Sequence, residues 1–224
     1  MEAVMWYMLC FVMIVLLATS CAHAPVQGRP TWLEERWGEV EQQQLDNSCG
    51  LSSLLTIMRH HFGDHRFDER GLLVAYMDIA TEEALQKAMR DGLSLLEIES
   101  LAMSLGYKTV RKMLTFEDLE RFVSFVPVLV YLEVHGFRHF AVVRGISKEV
   151  VWLADSSRGN VHYSRDQFLS EWKVPEALRE KWSTPGGLVI MAPDRIAPSD
   201  LLVQPPEGFP PSFRELRRQM VIGR

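Results

Sequence analysis

Cys49 has neighbours that suit a nucleophile. It opens an apolar helical pattern, where the free N–H groups and the dipole of a helix favour an anion and hence the reactive thiolate. Gly50 directly after it leaves room for a substrate backbone. Gln43, six residues before Cys49, is placed to donate a hydrogen bond to an oxyanion. Together these residues predict attack by a thiolate on a carbonyl group.

A base and an acid follow on two neighbouring strand patterns. His139 opens the apolar pattern His-Phe-Ala-Val-Val, and Asp155, sixteen residues later, ends the next one. Adjacent strands joined by a short turn would place the two side chains together, so that the carboxylate accepts from the imidazole N–H. His135, in a glycine-containing loop, is the rival base. We predict a triad of Cys49, His139 and Asp155.

The other cysteines lie in or beside the apolar N-terminal segment, at positions 10 and 21. In an exported protein Cys49 would therefore have no disulfide partner in the body of the chain. Such a thiol indicates a reactive group or an intermolecular bridge, and a buried inert cysteine is the other interpretation. The small number of cysteines does not by itself decide between these interpretations.

The remaining histidines do not predict a metal site. His60, His61 and His65 cluster near the end of the first long helical pattern, but no known spacing of zinc ligands supports them. A solvated helix end is the preferred interpretation, and Asp46 is interpreted as a helix cap. We expect no metal and no cofactor.

Helical patterns precede strand patterns along the chain. Helices are predicted at 49–62, 68–77, 81–89, 94–105, 115–122 and from 164, and strands at 107–113, 126–132, 139–146, 150–154, 160–163 and 187–191. Asp46 and Ser48 supply N-cap chemistry before the first helix. This order predicts an α+β fold with an antiparallel sheet.

The N-terminal segment indicates export. No charged residue occurs from position 3 to position 20, and small residues follow the apolar stretch, as in a signal peptide. Glu2 stands where a positive residue is usual. Three fates stay open: lipidation at Cys21, cleavage after Ala22, or retention as a membrane anchor.

The chain divides into four predicted parts. Residues 1–22 form the signal or anchor segment, 23–38 an irregular linker, 39–192 the catalytic domain and 193–224 a Pro-rich extension. The net charge is −5 and the basic residues are scattered, which argues against a nucleic-acid partner. Residues 1–21 provide the predicted route to membrane association.

Several segments resemble one peptidase family. The pattern Gln-x5-Cys-Gly at 43–50 is similar to that of the bacteriocin-processing, double-glycine-leader cysteine peptidases of the papain-like superfamily. Segments 91–94, 139–143 and 154–159 resemble the family's middle, His and Asp-Pro motifs. The resemblance covers residues 41–191.

The resemblance implies a papain-like fold and a role for each site residue. It assigns the nucleophile to Cys49, the base to His139, the orienting acid to Asp155 and the oxyanion donor to Gln43. Ser156 stands where many members have proline, which implies a less rigid turn after the acid.

Family members are commonly fused to an ABC exporter, whereas this chain carries no Walker motif. It resembles the stand-alone exported peptidase-like proteins of functional-amyloid (Fap) secretion systems. That resemblance implies a periplasmic location. It also implies a peptide or protein partner, such as a secreted amyloid subunit or its outer-membrane exporter. Double-glycine specificity is implied only by the fused relatives.

Three function classes fit these residues. The first is a cysteine endopeptidase working through an acyl-enzyme. The second is an adaptor or chaperone that docks a fibre subunit in the same cleft without cutting it. The third is an acyl transferase that passes the thioester to an amine. The complete triad favours the endopeptidase.

Overall fold

A computed structural model describes residues 31–147 and 150–191. The predicted signal or anchor segment at 1–22, most of the predicted linker and the Pro-rich extension lie outside these residues. Among the residues described, no helix combines the length and the apolar character needed to cross a membrane.

Helices occupy most of the first half of the described chain. They are α1 (Trp32–Trp37), α2 (Cys49–Thr56) with a following π-helical turn (Ile57–His61), α3 (Glu69–Met77), α4 (Glu82–Asp91), α5 (Leu95–Ser104), α6 (Phe116–Val123), α7 (Arg165–Glu171) and a 3₁₀ turn (Glu176–Leu178). Capping boxes start α5 at Ser94 and α6 at Thr115, as their sequences predict.

The strands form one antiparallel sheet in the order β1-β6-β2-β3-β4-β5. They are β1 (Lys108–Met113), β2 (Val128–Val134), β3 (Phe137–Ile146), β4 (Val150–Asp155), β5 (Gly159–Ser164) and β6 (Gly186–Met191). The last strand does not close an edge of the sheet, because it lies between β1 and β2. Three residues separate β3 from β4, and the two strands pair antiparallel, as predicted.

Helices cover both faces of the sheet. Alternate residues of β2 point to opposite faces, as the period of a strand requires. Leu129 joins the core formed with α2 and α5, whereas Val128 and Val130 join the core formed with α6 and α7. The sheet therefore holds the helix that begins at Cys49 on one face, directly against the strands that carry His139 and Asp155.

The prediction of an irregular linker over 23–38 is wrong for residues 32–37, which form α1. This helix lies against the turn that opens β5. Arg36 Nε donates to the Arg158 carbonyl oxygen (2.9 Å), and Asn160 Nδ2 donates to the carbonyl just after the helix (2.7 Å). The segment before the catalytic domain is therefore attached to it.

The predicted cap of α2 is also wrong. Ser48 occupies the N-cap position but makes no side-chain bond to the helix N–H groups. Its hydroxyl instead donates to the Leu45 carbonyl oxygen (2.6 Å). The side chain closes the preceding loop on itself, so the first N–H groups of α2 stay available to an anion.

Candidate active site

Cys49 is the first residue of α2 and is partly exposed. The rest of α2 is buried, which fixes the sulfur at the end of the helix that faces solvent. Ser53 Oγ donates to the Phe140 carbonyl oxygen (3.3 Å), and this bond connects α2 to β3 one residue beyond His139. The helix of the predicted nucleophile and the strand of the predicted base are thus joined within the core.

Gly50 has a packing role that differs from the predicted one. A Cβ atom at this position would lie 2.7 Å from Ile98 Cδ1 on α5 and 3.5 Å from a ring carbon of Phe140. The missing side chain therefore lets α2 approach the core closely. A side chain at this position would force Ile98 to move, whether or not a substrate is bound.

His139 and Asp155 form a hydrogen-bonded pair. The ring Nε2 of His139 lies 2.9 Å from Asp155 Oδ2, and the side chain of Cys49 is the other group that acts on the charge of the same imidazole. Burial of the imidazole opposes its charge, but the hydrogen bonds and charges of Asp155 and Cys49 raise the pKa of His139 to about 9. These neighbours favour the imidazolium form of His139.

The carboxylate of Asp155 is fully buried and accepts bonds on both oxygens. Oδ2 accepts from His139 and from Arg158 Nε (2.9 Å) and Nη2 (2.6 Å). Oδ1 accepts the backbone N–H groups of Ser157 (2.8 Å) and Arg158 (3.0 Å). Although burial raises it, the bonds and charges of His139 and Arg158 lower the pKa of Asp155 to about 2.

Gln43 lies against the turn that follows Asp155. Its backbone N–H donates to the Ser156 carbonyl oxygen (2.9 Å). Its side-chain Oε1 accepts from Ser157 Oγ (2.8 Å) and from Ser156 Oγ (3.2 Å). These bonds do not use the amide NH₂, which lies on the other arm of the carboxamide.

The loop between Gln43 and Cys49 is held by a buried carboxylate and by an asparagine. Glu69, on α3, accepts the backbone N–H groups of Gln44 (2.8 Å) and Leu45 (3.0 Å). Asn47 adopts a positive φ of 58°, and its Nδ2 donates to the Arg90 carbonyl oxygen (3.0 Å). Two helices therefore fix the path of the loop that approaches the nucleophile.

The other candidate residues lie outside this arrangement. His135 is exposed in the turn between β2 and β3, with a positive φ of 52°. His60 Nε2 lies 2.9 Å from Glu41 Oε1, and His61 is buried. In the described ranges no group of three or more His, Cys, Asp or Glu side chains is arranged to hold a metal ion.

The sequence patterns do not predict the roles of four residues that organise the site. Arg158 follows Asp155 by three positions, a spacing that a turn converts into contact, and the pair could have been found from that signal. Glu69 gave no signal, because its partners are backbone N–H groups far away in sequence. The hydroxyl groups of Ser156 and Ser157 were not connected to Gln43, which is more than a hundred residues away.

Comparison with known proteins decides the family. The sequence pattern of the peptidase C39 family matches residues 38–181. The chain belongs to the peptidase C39 family. This result confirms the predicted cysteine-peptidase family and the resemblance to bacteriocin-processing peptidases.

Two curated C39 relatives come from Pseudomonas, and both carry the name "Probable functional amyloid protease FapD". The relative from Pseudomonas fluorescens is 29% identical over 143 residues, which are 62% of this chain and 59% of that protein. The relative from Pseudomonas aeruginosa is 26% identical over 139 residues, with the same two shares. The matched region thus spans about three fifths of the length of each relative.

A solved C39 structure confirms the fold. The peptidase domain of Streptococcus ComA, a bi-functional ABC transporter, superposes with a TM-score of 0.52 at 17% identity. The match covers 69% of this chain and 98% of that domain. The predicted α+β, papain-like fold is therefore confirmed.

Proposed function

We propose that this C39 protein is an exported cysteine endopeptidase that cuts a secreted peptide or protein. One observation carries the proposal: the His139 imidazole, whose charged form Cys49 and Asp155 both favour, has its Nε2 2.9 Å from the buried carboxylate of Asp155. In this arrangement the acid fixes the tautomer of the base and the base stabilises the thiolate.

The geometry supports a two-step reaction. The Cys49 thiolate attacks the peptide carbonyl, and the oxyanion is held by the Gln43 amide and the N–H at the start of α2. The His139 imidazolium gives its proton to the leaving amine as the C–N bond breaks. Water then attacks the thioester, His139 takes a proton from that water, and the acid product leaves with the thiolate regenerated.

Asp155 keeps the imidazole in the productive orientation throughout. Because its pKa is about 2, the carboxylate stays ionised across the working range of a peptidase. Arg158 shares Oδ2 with His139 and compensates the buried charge. Asp155 therefore orients and stabilises the base without itself accepting the proton.

The proposed substrate is a fibre subunit or another component of functional-amyloid secretion, such as its outer-membrane exporter. The support is the name of the two Pseudomonas relatives, together with the apolar N-terminal segment that indicates export. The same two observations support a periplasmic site of action.

The proposal is tested by comparing the exported proteins of the source organism carrying the wild-type chain, Cys49→Ala, or the control Ser100→Ala. Ser100 is exposed on α5, so its replacement leaves the site untouched. Mass spectrometry of new N-termini should show that one exported protein stays uncut only with Cys49→Ala. Unchanged termini combined with normal fibre secretion would instead support the docking adaptor.

A further inference from the structure

The turn after Asp155 contacts Gln43 as well as holding the acid that binds His139. Ser157 Oγ donates to Gln43 Oε1 (2.8 Å), Ser156 Oγ donates to the same oxygen (3.2 Å), and the Ser156 carbonyl accepts the Gln43 N–H (2.9 Å). A carboxamide oxygen has two lone pairs, so two hydroxyl donors can satisfy it. The bonds converge on one end of the side chain.

We propose that Ser157, assisted by Ser156, is a positioning residue that fixes the Gln43 carboxamide with its NH₂ directed to the oxyanion. The inference rests on the role of Gln43 in the proposed function. If the carboxamide rotated by half a turn, its oxygen would face the developing negative charge and repel it. A donor bonded to Oε1 opposes that rotation, so the amide is already oriented when the substrate arrives.

The two serines differ in burial, and their contributions can therefore be separated. Ser156 is 1% exposed, whereas Ser157 is exposed and makes the shorter bond. The turn itself is held by backbone N–H bonds to Asp155 Oδ1, which need neither hydroxyl. Removal of the Ser157 hydroxyl should therefore leave the acid and the base in place. Ser157→Ala isolates the effect on Gln43.

Two reactions of Cys49 distinguish a loss of Gln43 positioning from general damage to the site. Acylation by p-nitrophenyl acetate forms a C–S bond and expels p-nitrophenolate through an oxyanion intermediate. Alkylation by iodoacetamide displaces iodide at carbon and forms no oxyanion. Both need the same thiolate, and only the first needs the Gln43 amide.

The experiment measures both rate constants on the purified full chain, with the Cys49→Ala background subtracted. Ser157→Ala should slow acylation roughly threefold to tenfold, the range expected for one lost hydrogen bond, and leave alkylation unchanged. The double variant Ser156→Ala/Ser157→Ala should slow acylation further. Ser157→Thr, which keeps the hydroxyl, should restore the wild-type rate.

Gln43→Ala provides the decisive background. It should slow acylation by itself, and adding Ser157→Ala should then have no further effect, because the serine acts only through the glutamine. Ser170→Ala on α7, whose hydroxyl donates to the Gln167 carbonyl oxygen, is the matched control and should behave as wild type.

The proposal is overturned if Ser157→Ala leaves acylation unchanged, slows alkylation equally, or retains its full effect in the Gln43→Ala background. These outcomes do not depend on the natural substrate. A chain that cuts no exported protein but shows the predicted acylation pattern would refute the proposed substrate while supporting the role of Ser157.

Discussion

At the residue scale, Asp155 is the group on which the site converges. Its two oxygens accept five hydrogen bonds, from His139, from two guanidinium nitrogens of Arg158 and from two backbone N–H groups. A buried carboxylate is tolerated only when it is bonded and paired in this way. The same bonds set the position of the imidazole relative to Cys49.

Asp155→Asn tests this arrangement. Donors surround both carboxylate oxygens of Asp155. In the asparagine variant an NH₂ group replaces one of these oxygens and must face those donors. We expect a loss of unfolding free energy of about 1–3 kcal/mol and slower acylation of Cys49. Denaturant titration and the p-nitrophenyl acetate rate measure the two effects. Asp166→Asn, exposed in the first turn of α7, is the control, and equal losses in both variants would contradict the account.

The sequence predicts the identity of these residues better than their partners. Cys49, His139, Asp155 and Gln43 were chosen from patterns of type and spacing, and the structure brings their elements together. Which donors surround Asp155 depends on how a turn folds back. The three-residue spacing indicates the pair with Arg158, but which guanidinium atoms contact Asp155 depends on the folded turn.

At the element scale, α1 is attached beside the turn that carries the acid. Gly159 adopts a positive φ of 83° and lies so close to the Arg36 carbonyl that no Cβ atom fits between them. Arg36 in turn donates to the Arg158 carbonyl oxygen (2.9 Å). Helix α1 thus packs against this turn and stabilises the position of Arg158.

Gly159→Ala should destabilise the protein more than Gly136→Ala. Both glycines have a φ of 83°, so both substitutions cost the same backbone strain of about 1 kcal/mol. A Cβ atom at Gly136 would meet no atom within 4 Å beyond its chain neighbours, whereas a methyl group at Gly159 must displace α1. Thermal unfolding of the two variants gives the difference. Equal shifts in Tm would show that α1 does not pack tightly against this turn.

The elements were predictable where their signals are local. The capping boxes of α5 and α6 lie within four consecutive residues, and both helices begin where predicted. The short helix α1 also begins with a capping box, from Thr31 to Glu34, but its six residues carry too little periodicity to indicate a helix. Contact with β5 adds to its stability. The place of β6 inside the sheet likewise depends on long-range pairing.

At the scale of the whole molecule, the coupled site should make stability depend on pH. The pKa of His139 is raised from 6.5 to about 9 in the folded protein, so its stabilising contribution is complete below pH 6.5 and lost as pH rises to 9. The loss amounts to up to about 3 kcal/mol. Asp155, whose pKa is lowered to about 2, contributes above pH 3.8 and loses its effect as pH falls.

Denaturant titrations between pH 6 and pH 9.5 measure this dependence in the Cys49→Ala background. In the wild type a Cys49 thiolate would offset it, because the unfolded thiol binds a proton that the folded thiolate does not. The Cys49→Ala chain should lose stability across the interval, and adding His139→Gln should flatten the profile. Adding His65→Gln, at an exposed position, should leave the slope unchanged. Parallel slopes with and without His139→Gln would mean that the pair with Asp155 does not contribute as described.

The central claim is that Cys49 is held as a thiolate by His139, and its alkylation by iodoacetamide tests this most directly. The rate at Cys49, followed by peptide mass spectrometry on the full chain, should be nearly constant between pH 5.5 and pH 8. It should also exceed that of free cysteine at the acidic end. His139→Gln should abolish the advantage. A wild-type rate that rises about tenfold per pH unit, as for an ordinary thiol, would contradict the account.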